Sequence, residues 1–454
     1  MKLTQSLLLL CLFLPVYAQE IDKSFPYFGL SQVDLNESIN YYNKNPDLEK
    51  KKMSYKNLLF LLKENNYKKI NGYFDLIQKA KSENKLSINH YSDLFLLPVS
   101  DPKLEDIGLF SSWQENEPDS YSSNLITGTV FRNLGNQARG TKFASKTSEN
   151  QFKTMAQLFN KSKEYLDKAI QINPTNELAY IQRMGISRGL DEITSVFQNA
   201  QKHIPHSYLI YNYYIARLKP RWYGSYEQMR TLALQAQTST QFEPRIRVLL
   251  GQEAADMAFR YKSSKDYEKA IKYYNYALYH GAFAVWIENR RDSYFALNEY
   301  KKALPDTQLL DKIQHISARS LRKSVIVKQK NNLPFQSDIE LIKELDQNGG
   351  IAFSLGSFFT VNKIHTDIAT DLYAFAILKD PNTEVYYQWY IGALIKSKNP
   401  DLPRALANHI KLCDKIECKY KSYLMRSKNM KSCIENDPKC TLSLSSYEFW
   451  KSKE

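Results

Sequence analysis

Apolar residues recur at spacings of three and four along most of the chain, the period of helices with one buried face. Between Lys56 and Asn84 two such stretches follow each other: Leu58, Leu59, Leu61 and Leu62, then Tyr73, Leu76 and Ile77 beyond the polar pair Asn65-Asn66. That pattern predicts a helical hairpin. From Leu94 to Ser123 the period breaks at Pro98, Asp101-Pro102, Pro118 and many serines, which predicts a long ordered loop region inside a helical domain. Helical spacing resumes at Phe152 and runs through Ile170. With only 15 Gly and 16 Pro in 454 residues, the chain lacks the turns an all-β fold needs.

A second, longer period lies over the first. Ala169, five residues before Pro174, marks the earliest segment with the small-residue pattern of a helix-turn-helix repeat. Ala270 and Ala303 are 33 residues apart, Ala369 lies twice 33 beyond Ala303, and Ala405 follows 36 later. A period near 34 predicts tetratricopeptide-like units, in which a small residue lets two helices approach and each unit needs a neighbour to cover its apolar face. The unit near Gln336 is degenerate, and Gly349-Gly350 is a candidate kink or break. The expected fold is all-α: an αα-superhelix, or tetratricopeptide-like solenoid, with an N-terminal helical domain and a disulfide-stapled C-terminal helical cap. The expected boundaries are 1–18 for a signal peptide, 19–241 for the helical domain, 242–412 for the repeats and 413–454 for the cap.

Lys2, the apolar run Leu7 to Val16 and Val16-Tyr17-Ala18 have the order of a secretory signal cleaved after Ala18. The run is too short to span a bilayer, which takes about 20 helical residues, and no other segment approaches that length. Cleavage lowers the formal charge by one, from +14 to +13. A basic protein behind a secretory signal meets lipid head groups, anionic glycans and acidic proteins rather than nucleic acid. Cys11 leaves with the signal, and Cys413, Cys418, Cys433 and Cys440 fall in the last 42 residues. In an oxidising compartment they read as two disulfides with three connectivities. Each neighbouring pair flanks a short polar loop, so the expected bridges are Cys413 with Cys418 and Cys433 with Cys440. Zinc is the rival, and the gaps of four, fourteen and six residues fit no common knuckle.

The front half, about Leu58 to Gln235, resembles the bacterial domain-of-unknown-function family 4034. Its marks here are Trp113 with Pro118 and Ser120, Arg139-Gly140, and Pro220-Arg221-Trp222-Tyr223-Gly224-Ser225, with Tyr223 where the family has a small residue. The resemblance implies a helical scaffold and no catalytic role. Read physically, Pro220 ends a helix, Gly224 permits the turn and Ser225 with Gln228 makes a capping box. Arg221 and Trp222 are then placed to lock one helix pair on the next, or to line a ligand groove.

No set of residues assembles into coherent chemistry. Gly185-Ile186-Ser187-Arg188-Gly189 matches a nucleophile elbow, but a helix enters it where a strand is required. Gly135 to Gly140 has phosphate-loop spacing, and Thr141-Lys142 reverses the order that loop needs. His203 and His206 flank Pro205 without a nearby Glu to serve as base. The 32 tyrosines, four of them at 273, 274, 276 and 279, are divided between packing and a groove suited to peptides or sugars. Lys411 to Lys431 carries seven basic residues against Asp414 and Glu417. The expectation is a non-enzymatic, periplasmic or secreted scaffold of the bacterial envelope, without cofactor or metal, that binds a protein or peptide. The alternative is an accessory binder of an anionic glycan or lipid surface through a basic, Tyr-rich face. Oligomeric state is left open.

Overall fold

The computed structural model describes residues 44–222, 224–313, 317–416 and 418–436. The expected signal peptide and Cys440 lie outside the described residues. Among the described residues the protein is all-α, with 22 α-helices joined by short turns and 3-10 segments and no strand. No described helix is long and apolar enough to cross a membrane. The chain divides into two compact units, 1–298 with 308–315, and 299–307 with 316–454, the division running through the helix Tyr300–Lys312.

In the first unit the stretch expected to be a loop is mostly helical. Helices Ile88–Leu96, Ile107–Asn116 and Tyr121–Arg139 cover much of it, with 3-10 turns at Leu97–Val99 and Leu104–Asp106. The prolines that break the sequence pattern sit between helices: Pro98 lies in the first of these turns, and Pro118 precedes the N-cap Ser120. Ser120 accepts from the Ser123 amide at 3.3 Å, which starts the 19-residue helix. That helix packs closely on the 24-residue helix Glu149–Ile172 because Gly128 and Gly135, two turns apart on one face, carry no side chain there. A Cβ on Gly128 would lie 2.7 Å from Leu166, and one on Gly135 would lie 2.6 Å from the Phe159 ring. The candidate phosphate loop, Gly135 to Gly140, is the last turn of that helix and its cap. One core runs from Leu48 to Ile186 around Trp113, Phe74 and Phe95, and a second from Tyr180 to Ile313, continuous across residue 241.

The second unit carries helix pairs Ala318–Lys330 with Gln336–Leu345, Gly350–Val361 with Thr366–Lys379, and Glu384–Ser397 with Leu402–Lys415, followed by Lys421–Asn436. The small residues of the repeat pattern occupy one position: Ala303, Ala369 and Ala405 are each the fourth residue of their helix, and each is buried. Ala270 holds the same place in Tyr267–Tyr279 of the first unit. In the degenerate repeat Ile339 takes that place, fully buried. Gly349 is not a break. It turns the chain into the helix Gly350–Val361 at φ +74°, where a Cβ would come within 2.6 Å of Ala376.

The turns inside the repeats also share one geometry. Lys265, Asn298, Asn332, Lys363 and Lys398 all have left-handed φ between 52° and 65°. After four of them the next amide reaches back to a carbonyl in the last turns of the helix: Asp266 to Tyr261, Leu333 to Lys328, Ile364 to Phe359 and Asn399 to Leu394, at 2.9 to 3.0 Å.

Candidate functional site

A cleft of about 730 Å³ opens in the first unit between helices Glu149–Ile172 and Gly189–His203. Its exposed walls are Asp167 and Gln171 on one side and Gln198, Asn199, Lys202 and His203 on the other. Arg183, from helix Glu177–Ile186, forms the floor. Its guanidinium donates to Asp167 Oδ1 at 2.8 Å, to Glu192 Oε1 at 2.7 Å and to Ser187 Oγ at 3.0 Å, tying both walls to the floor. Burial works to raise Glu192, but the Arg188 amide and the Arg183 guanidinium hold it below the usual carboxylate range. The buried cation is thus neutralised from two helices, leaving amides and opposite charges to face a ligand.

Most motif residues of the front half sit at packing, turn and capping positions. Trp113 is fully buried beside Phe74, rings 6.2 Å apart. The Pro118 carbonyl accepts from Asn124 Nδ2 at 2.9 Å. Arg139 ends its helix, and Gly140, at φ +73°, caps it by donating to the Asn136 and Gln137 carbonyls. Pro220–Trp222 is a 3-10 turn. Gly224 is obligatory, since a Cβ would lie 2.2 Å from the Leu218 carbonyl oxygen. Ser225 accepts from the Gln228 amide at 3.1 Å, while the full reciprocal box forms instead at Ser148 and Gln151. Arg221, in the 3-10 turn, donates at 2.6 Å to the buried Asp256 of helix Gln252–Ser263, where Lys219 and Tyr226 also converge. Trp222 is 51% exposed.

The remaining motifs have ordinary settings. Ser187 Oγ donates to the Arg183 carbonyl and lies between two helices rather than after a strand. His206 bonds Ser239 Oγ at 2.9 Å and stacks on Phe242, while His203 is exposed on the cleft rim. Of the clustered tyrosines Tyr274 is fully buried, Tyr273 stacks on Tyr261 and Tyr279 is 56% exposed.

In the cap, Cys413 and Cys418 are bonded, as their spacing suggests, with Cα atoms 5.1 Å apart. Cys433 is disulfide-bonded too, and its expected partner Cys440 lies outside the described residues. Beside the first bridge lies His409, buried at 1% exposure on the same helix as Cys413. Its Nδ1 is 2.8 Å from Ser427 Oγ, and its Nε2 is 3.6 Å from Cys413 Sγ. Glu384, at the start of helix Glu384–Ser397, accepts from the Lys419 amide at 3.0 Å and from Gln388 Nε2 at 2.8 Å. Ligand atoms of Glu384, His409, Cys413 and Cys418 all lie within 4.8 Å of one another. The gaps between the cysteines do not contain the other two donors, His409 and Glu384. The four-residue step from His409 to Cys413 signals a shared helix face, whereas nothing local points to Glu384.

These features define the class as an all-α helical-repeat protein. No family model matches the chain, and no curated sequence matches it. Among solved structures it is similar to the TPR domain of P58(IPK), at 14% identity over 74% of this chain and 82% of that one, TM-score 0.26. It is also similar to human IFIT1, solved as a dimer with PPP-AAAA, at 12% identity over 75% and 78%, TM-score 0.30. A third similar structure is the APC/C hetero-tetramer Cut9-Hcn1, at 13% identity over 78% and 72%, TM-score 0.28.

Proposed function

We propose that the protein is a non-enzymatic, exported scaffold of the bacterial cell envelope that holds a protein or peptide segment in the cleft floored by Arg183. The cleft carries this reading. It is open and lined by polar side chains, and exposed Gln171, Gln198 and Asn199 offer both donors and acceptors to a peptide backbone. Export rests on residues 1–18 and on the bonded cysteines, which suit an oxidising compartment. The family 4034 resemblance of the front half supports a scaffold and adds no activity. The test is a photo-crosslinking residue at position 199, compared with one at exposed Phe60, in envelope extract of the producing bacterium. One identified polypeptide should label from position 199, and Ser195→Trp, which fills the cleft, should abolish labelling. Equal labelling from both positions, or turnover of an envelope substrate by the purified protein, would sink the proposal.

A second reading has its own observation. Lys411, Lys415, Lys419, Lys421 and Lys428 are all exposed on the cap, a charge density suited to an anionic glycan or lipid surface. Salt-sensitive binding to such a polymer, lost on charge reversal at Lys419, Lys421 and Arg426 and unaffected by Ser195→Trp, would favour it over the cleft.

A further inference from the structure

We propose that, when the Cys413–Cys418 bond is reduced, the two thiolates, His409 and Glu384 close around a zinc ion, so that the cap is held by a covalent bridge in one redox state and by a metal in the other. The four donors come from three separate places: the start of helix Glu384–Ser397, one face of helix Leu402–Lys415, and the loop after it. They already lie within 4.8 Å of one another. A tetrahedral site with bonds of about 2.0 to 2.3 Å needs its donors about 3.3 to 3.8 Å apart, so side-chain adjustment suffices once the sulfurs separate.

The surroundings prepare each ligand. Ser427 Oγ lies 2.8 Å from His409 Nδ1 and holds the ring with Nε2 3.6 Å from Cys413 Sγ; in the tautomer that carries its proton on Nδ1, with Ser427 accepting, the Nε2 lone pair is presented to a metal. The carboxylate of Glu384 is oriented by the amide of Lys419, the residue following Cys418, so one ligand is tied to the chain that carries another. His409 is buried, with its ring stacked on Tyr387 at 6.0 Å between centroids. Four protein ligands fill the coordination sphere and leave no open position, which makes the site structural rather than catalytic.

The chemistry balances with a dithiol reductant. Its two thiols pass two electrons and two protons to the Cys413–Cys418 bond and become a disulfide, leaving two thiols on the cap. Zinc then displaces both thiol protons to solvent as it binds.

The experiment uses the full chain carrying Cys433→Ser and Cys440→Ser, so that the second pair cannot compete. Zinc is titrated against a chromophoric chelator before and after reduction, and cobalt(II) serves as a spectroscopic probe. The reduced chain should bind one zinc per molecule with Kd below about 1 µM, and the oxidised chain should bind none at that site. Cobalt should give a thiolate charge-transfer band, and His409→Ala and Glu384→Ala should each weaken binding at least about tenfold. Circular dichroism separates a folding failure: if reduction alone loosens the cap, zinc must restore the helical signal. Absence of stoichiometric binding, failure of zinc to restore a loosened cap, or binding that survives Cys413→Ser with Cys418→Ser or is unchanged by His409→Ala, would overturn the proposal.

Discussion

Lys265 and Lys363 hold φ of 65° and 55°, a region in which a Cβ crowds the following carbonyl and which glycine enters freely. Asparagine tolerates the same region better, and Asn298 and Asn332 hold it in the intervening repeats. Replacing Lys363 by Gly relieves a strain of about 1–2 kcal/mol and increases unfolded-chain freedom at a cost of about 0.5–1 kcal/mol. Lys363→Gly should therefore stabilise the protein by about 0.5–1 kcal/mol, read as a higher urea midpoint with unchanged slope. Lys363→Ala, which keeps the Cβ, should not stabilise. These turn residues recur as regularly as the alanines do. They are hard to see in the sequence because lysine is a poor marker for a left-handed turn, whereas Ala270, Ala303, Ala369 and Ala405 announce close helix crossings directly. Gly224 is legible for the opposite reason: the proline before it and the serine after it leave a turn as the simplest reading.

Between helices, the tightest constraint lies where Tyr121–Arg139 meets Glu149–Ile172. A methyl group on Gly128 would press on Leu166 at 2.7 Å and on the Ser162 carbonyl at 3.2 Å, and the second of these is backbone. Gly128→Ala should destabilise by about 1–3 kcal/mol despite alanine's better helix propensity, whereas Gly72→Ala, with open space around it, should be neutral or stabilising. Paired urea titrations distinguish overpacking from a general effect of glycine. The buried Asp256 offers a second contrast. Asp256→Ala leaves Lys219, 19% exposed, without its carboxylate and should cost about 2–3 kcal/mol, more than Arg221→Ala, because the guanidinium is already 44% exposed. Helix periods predict these elements readily except around Leu94 to Ser123. There the prolines and serines that argue for a loop are the punctuation between three helices, and a window wide enough to average over them loses the period. Arg221 reads as a helix-joining residue in the sequence, but its partner Asp256 lies 35 residues away, a pairing no local pattern contains.

At the scale of the whole molecule, two imidazoles shielded from water make stability acid-sensitive. Burial, reinforced by the Arg247 guanidinium, pushes His280 down to about 4 from its ordinary 6.5. Burial lowers His409 as well, with the Glu384 carboxylate acting against it. Between those two limits for His280 the unfolded chain has already bound a proton that the folded chain refuses. The stability this residue supplies is therefore complete above pH 6.5 and drains away as pH falls toward about 4. The loss amounts to about 3 kcal/mol once the titration is complete. Half-buried Asp93 and Glu243, both raised by desolvation, work in the other direction, since their neutral forms suit the fold. A difference measurement isolates the histidine: urea midpoints at about pH 7.5 and about pH 4.5 for the unaltered chain and for His280→Gln, on either side of the titration. The unaltered chain should lose more stability on acidification than the variant, with the gap opening below pH 6.5. Parallel profiles would show that the imidazole titrates near its ordinary value and is more open to water than its packing against Tyr276 and Tyr279 indicates.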